Sequence, residues 1–138
     1  MKYILEHPIK GTAGSQKYET SIKWRNGILI TDEPGKIGGK DIGPDPYTLL
    51  LSSLVTCTIS TLRMYLELKA MPIATLEVEA NMFHRLLPDG LSMHIERNIT
   101  FGHQFDKDIK AKLLRVAENC PVSKILKGNI QINTTFTK

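Results

Sequence analysis

The run Asp45–Lys69, DPYTLLLSSLVTCTISTLRMYLELK, constrains the fold of this chain more than any other segment. Asp45 is a natural N-cap, because its carboxylate can accept from the N–H groups that a first helical turn leaves unpaired. Pro46 suits the first helical position, where its missing N–H costs nothing. Tyr47, Leu50, Leu51, Leu54, Thr58, Thr61, Leu62 and Tyr65 then share one face. Leu49, Val55, Ile59 and Leu66 extend the apolar character nearly round the cylinder, the mark of an interior helix. The spacing predicts a helix of about 25 residues, ~37 Å long. A chain of 138 residues does not easily cover such a helix alone, so a second copy is expected to cover part of it. No run is expected to span a bilayer, since Ser52, Ser53, Thr56, Thr58 and Ser60 interrupt the longest one.

Strand patterns flank this helix. From Lys17 to Thr31, Tyr18, Thr20, Ile22 and Trp24 alternate with Glu19, Ser21, Lys23 and Arg25, and Asn26-Gly27 precedes Ile28 to Thr31. Asn-Gly between two such runs predicts a hairpin with a type I′ turn. An earlier strand over about Lys2 to Lys10 is expected to join it. Residues 32–45, DEPGKIGGKDIGPD, hold four glycines and two prolines, and so read as a loop, functional or pinned by another surface. Beyond the helix, Leu76, Val78, Ala80 and Met82 alternate with Glu77, Glu79 and Asn81. LLPDGL then reads as a turn, and Met93, Ile95, Arg97, Ile99 and Phe101 as a return strand. Asp106 should cap a second helix running to about Asn119, and Ser123 one more turn through Lys127, closed by Gly128. Asn129 to Thr137 reads as a last strand. The expectation is one α+β domain over residues 1–138: a β-rich part at about 1–43, the central helix at about 45–70, and a ββαβ part at about 74–138.

The start of the chain lacks the apolar stretch of a signal peptide, because Glu6, His7 and Pro8 follow closely on Lys2. A soluble, cytoplasmic protein is expected, in a compartment that keeps thiols reduced. The net charge is +4, but Lys107, Lys110, Lys112 and Arg115 are interleaved with Asp106, Asp108 and Glu118, the pattern of a solvated helix face. No aromatic residues alternate with the basic ones as a base-stacking platform requires, so no nucleic-acid partner is expected. His7, His84, His94 and His103 have no short metal-ligand spacing with each other or with the cysteines, so neither a metal nor another cofactor is expected.

Cys57 and Cys120 are the only cysteines. Cys57 lies mid-helix and Cys120 where the second helix stops at Pro121, so the two can meet only through tertiary folding. A lone cysteine on an apolar helix is more often a small core hydrophobe than a nucleophile. In a reducing compartment the pair leaves catalysis, redox sensing or plain burial open.

The stretch from Asp32 to Lys69, DEPGKIGGKDIGPDPYTLLLSSLVTCTISTLRMYLELK, together with CPVSKILKGNIQI, resembles the osmotically inducible protein C and organic hydroperoxide resistance (OsmC/Ohr) family. The shared elements are a glycine-rich approach, a Pro-led long helix carrying the first cysteine, and a Cys-Pro-Val after a second helix. The resemblance implies an OsmC-like fold, with antiparallel sheets wrapped around a long central helix in an intertwined homodimer whose active sites lie at the subunit interface. It also implies a thiol peroxidase of stress defence acting on organic hydroperoxides. Cys57 would attack the peroxide and become a sulfenic acid, Cys120 would resolve it as a disulfide, and a lipoyl-type or other small thiol would reduce the pair.

A thiolate in apolar surroundings needs a cation or hydrogen-bond donors. The family commonly supplies an arginine from the N-terminal hairpin region, held by a glutamate in the first turn of the central helix. Here the positions ten and nine before Cys57 are Tyr47 and Thr48, and neither can hold an arginine as a carboxylate does. Arg25 and Lys17 are the cationic candidates of the hairpin, Glu33 is the substitute carboxylate, and Arg63 is a cation that could approach from a second subunit. Tyr47, Thr48, Leu50, Leu54 and Pro121 are the expected pocket residues. The alternative is a module on the same scaffold that binds a small apolar ligand or senses redox state, with little or no turnover.

Overall fold

The computed structural model describes residues 2–73 and 75–137. It has an α+β architecture of two antiparallel sheets and one long helix, and the chain divides into two compact units, Met1–Leu50 and Leu51–Lys138.

In the first unit, strands β1 (Lys10–Ala13), β2 (Thr20–Trp24) and β3 (Gly27–Thr31) form a three-stranded sheet in the order β1-β2-β3. The predicted hairpin is present, but its turn falls on Arg25-Asn26, because Trp24 pairs with Gly27. Gly27 is therefore the first residue of β3, and neither Asn26 nor Gly27 takes the positive φ of a type I′ turn. The strand expected over about Lys2 to Lys10 begins only at Lys10, the residue that finds a partner, Lys23, on β2.

The glycine-rich loop closes on one buried side chain. Asp32 Oδ1 accepts from the backbone N–H of Glu33 at 2.8 Å, and Oδ2 accepts from Lys40 at 3.0 Å and Ile42 at 3.4 Å. Burial raises the Asp32 pKa, but these N–H donors and the nearby Lys40 outweigh it and hold the carboxyl below its ordinary value. A 3-10 turn, Gly35–Ile37, sits inside the loop and ends at Gly38, whose φ of 110° suits glycine. At Gly43 a Cβ would collide with the Ile30 carbonyl oxygen, so the loop returns against β3 only with glycine there.

Helix α1 (Pro46–Leu68) starts as expected. Asp45 Oδ1 accepts from Thr48 N–H at 2.8 Å, which, with the Thr48 hydroxyl, keeps the Asp45 carboxyl below its ordinary pKa. It ends with Ala70 in the left-handed region at φ 51°, Met71 N–H bonding to the Leu66 carbonyl and Ala70 N–H to that of Glu67. That is a Schellman closure with alanine where glycine is usual. The helix is not buried all round, as the sequence pattern suggests. Leu54, Thr58, Leu62 and Leu66, one i,i+4 stripe, are buried, while Tyr47, Met64 and Leu68 are exposed. The expectation that its hydroxyl residues break the apolar run also fails: by length and composition α1 is long and apolar enough to cross a membrane. Thr56 and Thr58 donate to their own helix, at the Ser52 and Leu54 carbonyls, so their polarity is satisfied locally.

The second unit contains a two-stranded sheet, β4 (Leu76–Leu87) with β5 (Gly90–Phe101), turned at Pro88-Asp89. Helix α2 (Lys107–Glu118) follows, capped by Asp106 through Ile109 N–H at 2.9 Å, and then α3 (Pro121–Lys127). Leu62 and Leu66 of α1, Phe105, and Leu113 and Ala117 of α2 form the core, with Ile99 and Phe101 of β5 packed against it. The cap of α3 is Cys120, not Ser123 as the sequence suggested, since Pro121 occupies the first helical position and places Ser123 third. The last strand, Asn129 to Thr137, is not formed. Ile130, Ile132 and Phe136 are exposed, and among the described residues no strand pairs with this segment.

Candidate functional site

The second unit brings both cysteines to one polar cluster inside its apolar core. Cys57 and Thr58 are neighbours on α1, Cys120 caps α3, Ser123 lies in the first turn of α3, and Arg97 reaches in from β5. Cys120 and Thr58 have no solvent-exposed surface, whereas Cys57 is half-buried. Cys57 lies close enough to the Cys120 thiol to help lower its pKa.

Arg97 organises the cluster. Its Nη1 donates to Thr58 Oγ1 at 2.9 Å and to Ser123 Oγ at 2.8 Å, and lies 3.8 Å from Cys120 Sγ. A guanidinium has donors only, so both hydroxyl oxygens must accept from it; the Thr58 proton goes to the Leu54 carbonyl at 2.7 Å, and the Ser123 proton is left for the Cys120 sulfur or the more distant Ala117 carbonyl at 3.4 Å. Ser123 Oγ is 2.9 Å from Cys120 Sγ, and Ser123 N–H lies 3.4 Å from the same sulfur. Thr58 Oγ1 is 3.9 Å from it. The Cys120 sulfur thus faces the Ser123 hydroxyl and N–H and the Arg97 guanidinium, which favours its charged form. Burial pushes the thiol pKa up, but the Ser123 hydroxyl and N–H, with smaller effects from nearby Thr58 and Cys57, prevail and lower it from 9.0 to about 7.

A carboxylate holds Arg97 in turn. Glu118 Oε1, at the end of α2, is 3.9 Å from Arg97 Nη2, and Glu118 Oε2 pairs with Lys127 Nζ of α3. The hydrogen bond from Lys127 keeps the Glu118 carboxyl below its ordinary pKa, against the opposing effect of burial. A cavity of about 440 Å³ opens beside this network, lined by Leu54, Ile95, Ile99, Leu126 and the polar ends of Arg97 and Ser123. A larger cleft of about 580 Å³ lies between Tyr65 of α1 and Arg115 of α2, and neither cysteine lines either cavity.

Arginine held by carboxylate beside a cysteine is the arrangement the resemblance implied, but here it is built from Arg97 and Glu118 and faces Cys120. Neither residue was singled out in the sequence as a site residue. The signal was present for Arg97, which occupies the inward parity of β5 with Ile95, Ile99 and Phe101, where an arginine needs a buried partner. Of the other candidates, Arg63 is exposed and pairs with Glu67 one turn along α1 at 3.5 Å. Leu54 lines the cavity, and Pro121 follows Cys120 as the first residue of α3. Tyr47, Thr48 and Leu50 lie in the first turns of α1 and are exposed. Lys17, Arg25 and Glu33 belong to the first unit: Lys17 Nζ lies over the Tyr18 ring, Arg25 over Trp24, and the Glu33 carbonyl accepts from Asp41 N–H.

Comparison with solved structures finds the same fold in several proteins. A candidate osmotic stress induced and detoxification response protein from Psychrobacter arcticus 273-4 is 23% identical, with 91% of each chain covered and a TM-score of 0.74. The organic hydroperoxide resistance protein OsmC of Legionella pneumophila is 16% identical over 93% of each chain, with a TM-score of 0.68. OhrB of Bacillus subtilis, an organic hydroperoxide resistance protein, is 19% identical over 88% of this chain and 90% of its own, with a TM-score of 0.62. None of the curated protein sequences compared matches the chain. The family profile described as OsmC-like protein matches residues 38–135, a span holding both cysteines, Arg97, Glu118 and Ser123, and the chain therefore belongs to the OsmC-like protein family.

Proposed function

We propose that this protein is a cysteine-based peroxidase that reduces organic hydroperoxides in the cytoplasm, using Cys57 and Cys120. The observation that carries the reading is the pair of neighbouring thiols, Cys57 acting on the Cys120 thiol and Arg97 3.8 Å from the Cys120 sulfur, in a chain of this family. Cys57 is the half-buried thiol and so the one a peroxide can reach. Its sulfur displaces one oxygen of the O–O bond, leaving a sulfenic acid and releasing an alcohol. Cys120, sealed and facing the Ser123 donors, then closes a disulfide that protects Cys57 from further oxidation. A dithiol of the lipoyl type restores the pair. The apolar lining given by Leu54, Ile95 and Ile99 suits an organic substrate better than hydrogen peroxide. The working form is a homodimer, as the exposure of Met64, Leu68, Leu86, Ile132 and Phe136 suggests, because large apolar side chains left this open call for a covering surface. In the dimer, Arg25, Lys17 or Glu33 can support Cys57 as the family pattern implies.

The test is thiol-dependent consumption of cumene hydroperoxide by the wild type, Cys57→Ser and Cys120→Ser. Wild type should turn over and Cys57→Ser should not, while Cys120→Ser should consume one equivalent and stall as a sulfenic acid. Equal slowness of wild type and Cys57→Ser, as a pure binding module would give, sinks the reading.

A further inference from the structure

We infer that Arg97 is a positioning residue for Cys120: through Thr58 and Ser123 it holds that sulfur in readiness as a thiolate, the attacking group when the disulfide closes and the leaving group when a dithiol reopens it. The inference rests on the proposed peroxidase reading for its reaction steps, but its structural basis is independent of it. Arg97 is nine-tenths buried at its side chain, with Nη1 within reach of Thr58, Ser123 and Cys120 together. By occupying the Ser123 oxygen as an acceptor it leaves the Ser123 proton to point at the sulfur, 2.9 Å away, rather than at the more distant Ala117 carbonyl, 3.4 Å away. A neutral side chain at position 97 would leave the Ser123 hydroxyl free to turn toward the Ala117 carbonyl and would remove the guanidinium from beside the sulfur.

The chemistry follows from the asymmetry of the two thiols. In closure, the Cys120 thiolate attacks the Cys57 sulfenic sulfur, the S–S bond forms and the S–O bond breaks, and the departing hydroxide takes a proton to become water. In reopening, the thiolate of a dithiol reductant attacks one sulfur of the disulfide, and the better leaving thiolate departs with the bonding pair. Cys120, beside Arg97 and the Ser123 donors, is that leaving group, and Cys57 is the half-buried sulfur that can be reached. A mixed disulfide between Cys57 and the reductant results. The reductant's second thiol displaces Cys57, leaving both protein thiols reduced and the reductant as a cyclic disulfide. The titratable and charged groups that bear on Cys120 are Cys57 on α1, Arg97 on β5, Glu118 on α2 and Lys127 on α3.

The experiment follows the ultraviolet absorbance of the Cys120 thiolate against pH in full-length Cys57→Ser protein. With Arg97 in place the midpoint should lie below the ordinary 9.0, and with Arg97→Met it should move up toward that value. Arg97→Lys, which keeps the charge but loses the fork, should recover part of the shift, and Ser123→Ala should move it in the same direction as Arg97→Met. In oxidised protein with both cysteines, reopening by dithiothreitol should slow about tenfold on Arg97→Met. An unchanged midpoint in Arg97→Met overturns the inference. If that variant does not fold, an unchanged midpoint in both Arg97→Lys and Ser123→Ala overturns it equally. Trapping a Cys57 sulfenic acid in Cys120→Ser protein, with Arg97 intact, tests the peroxidase reading by itself, so the two can fail separately.

Discussion

Arg97 and Cys120, 23 residues apart in sequence, meet with Nη1 3.8 Å from Sγ, and Ser123 completes the contact by touching both. The contact ties the second sheet to the start of α3 through a group that titrates near neutrality, and so makes stability depend on pH. The folded-state pKa of Cys120 is depressed from 9.0 to about 7, so the native state prefers the thiolate. The stabilisation is fully present above the unfolded value of 9.0 and is lost as pH falls through about 7. Reduced wild type should therefore gain stability between pH 7 and 9 relative to Cys120→Ser. Urea midpoints measured at the two pH values check this, and parallel pH dependence in the two proteins would refute it.

Leu62 has no exposed surface and lies at the centre of the core formed by α1, α2 and Phe105. Leu62→Ala should cost about 2–5 kcal/mol, because the cavity it leaves is walled by two helices and cannot fully collapse. Equilibrium urea unfolding measures the loss. A cost under about 1 kcal/mol would mean that this core is much looser than its packing indicates.

Ala70 ends α1 in the left-handed region at φ 51°. A Cβ there crowds the backbone, so Ala70→Gly should stabilise the protein by about 1 kcal/mol, although glycine ordinarily destabilises. The thermal midpoint should rise. A fall would show that the unfolded-chain entropy of glycine outweighs the relief.

Asp32 is buried in the glycine-rich loop and accepts from three backbone N–H groups. Its folded pKa lies below the ordinary 3.8, so its contribution is present above that value and disappears as pH falls through the lower folded one. Asp32→Asn should lower stability at neutral pH and flatten the acid limb below about 4. Circular dichroism followed across acid titration of both proteins reads the difference; superimposable acid limbs would remove Asp32 from this role.

Much of the scaffold was legible because it is local. Asp45-Pro46 and Asp106 marked helix starts through capping chemistry that involves only a few neighbouring residues, and the alternation from Leu76 to Phe101 marked a hairpin through side-chain parity alone. The misplaced features depend on partners elsewhere in the chain. The hairpin turn moved by one residue because Trp24 chose Gly27 as its partner, and 129–137 formed no strand because a strand exists only against another edge. The cap of α3 moved from Ser123 to Cys120 because Pro121 starts that helix.

The sequence by itself determined the helix carrying Cys57, the helix stop carrying Cys120 and the family pattern that joins them, because caps, periodicity and motif spacing are properties of contiguous residues. Tertiary structure alone decided which groups surround the sulfurs. Arg97, Thr58, Ser123 and Glu118 come from β5, α1, α3 and α2, and spacing along the chain carries no record of their meeting. The charge at a buried thiol is set by donors within a few ångströms, and those neighbours exist only once the strand and three helices have packed.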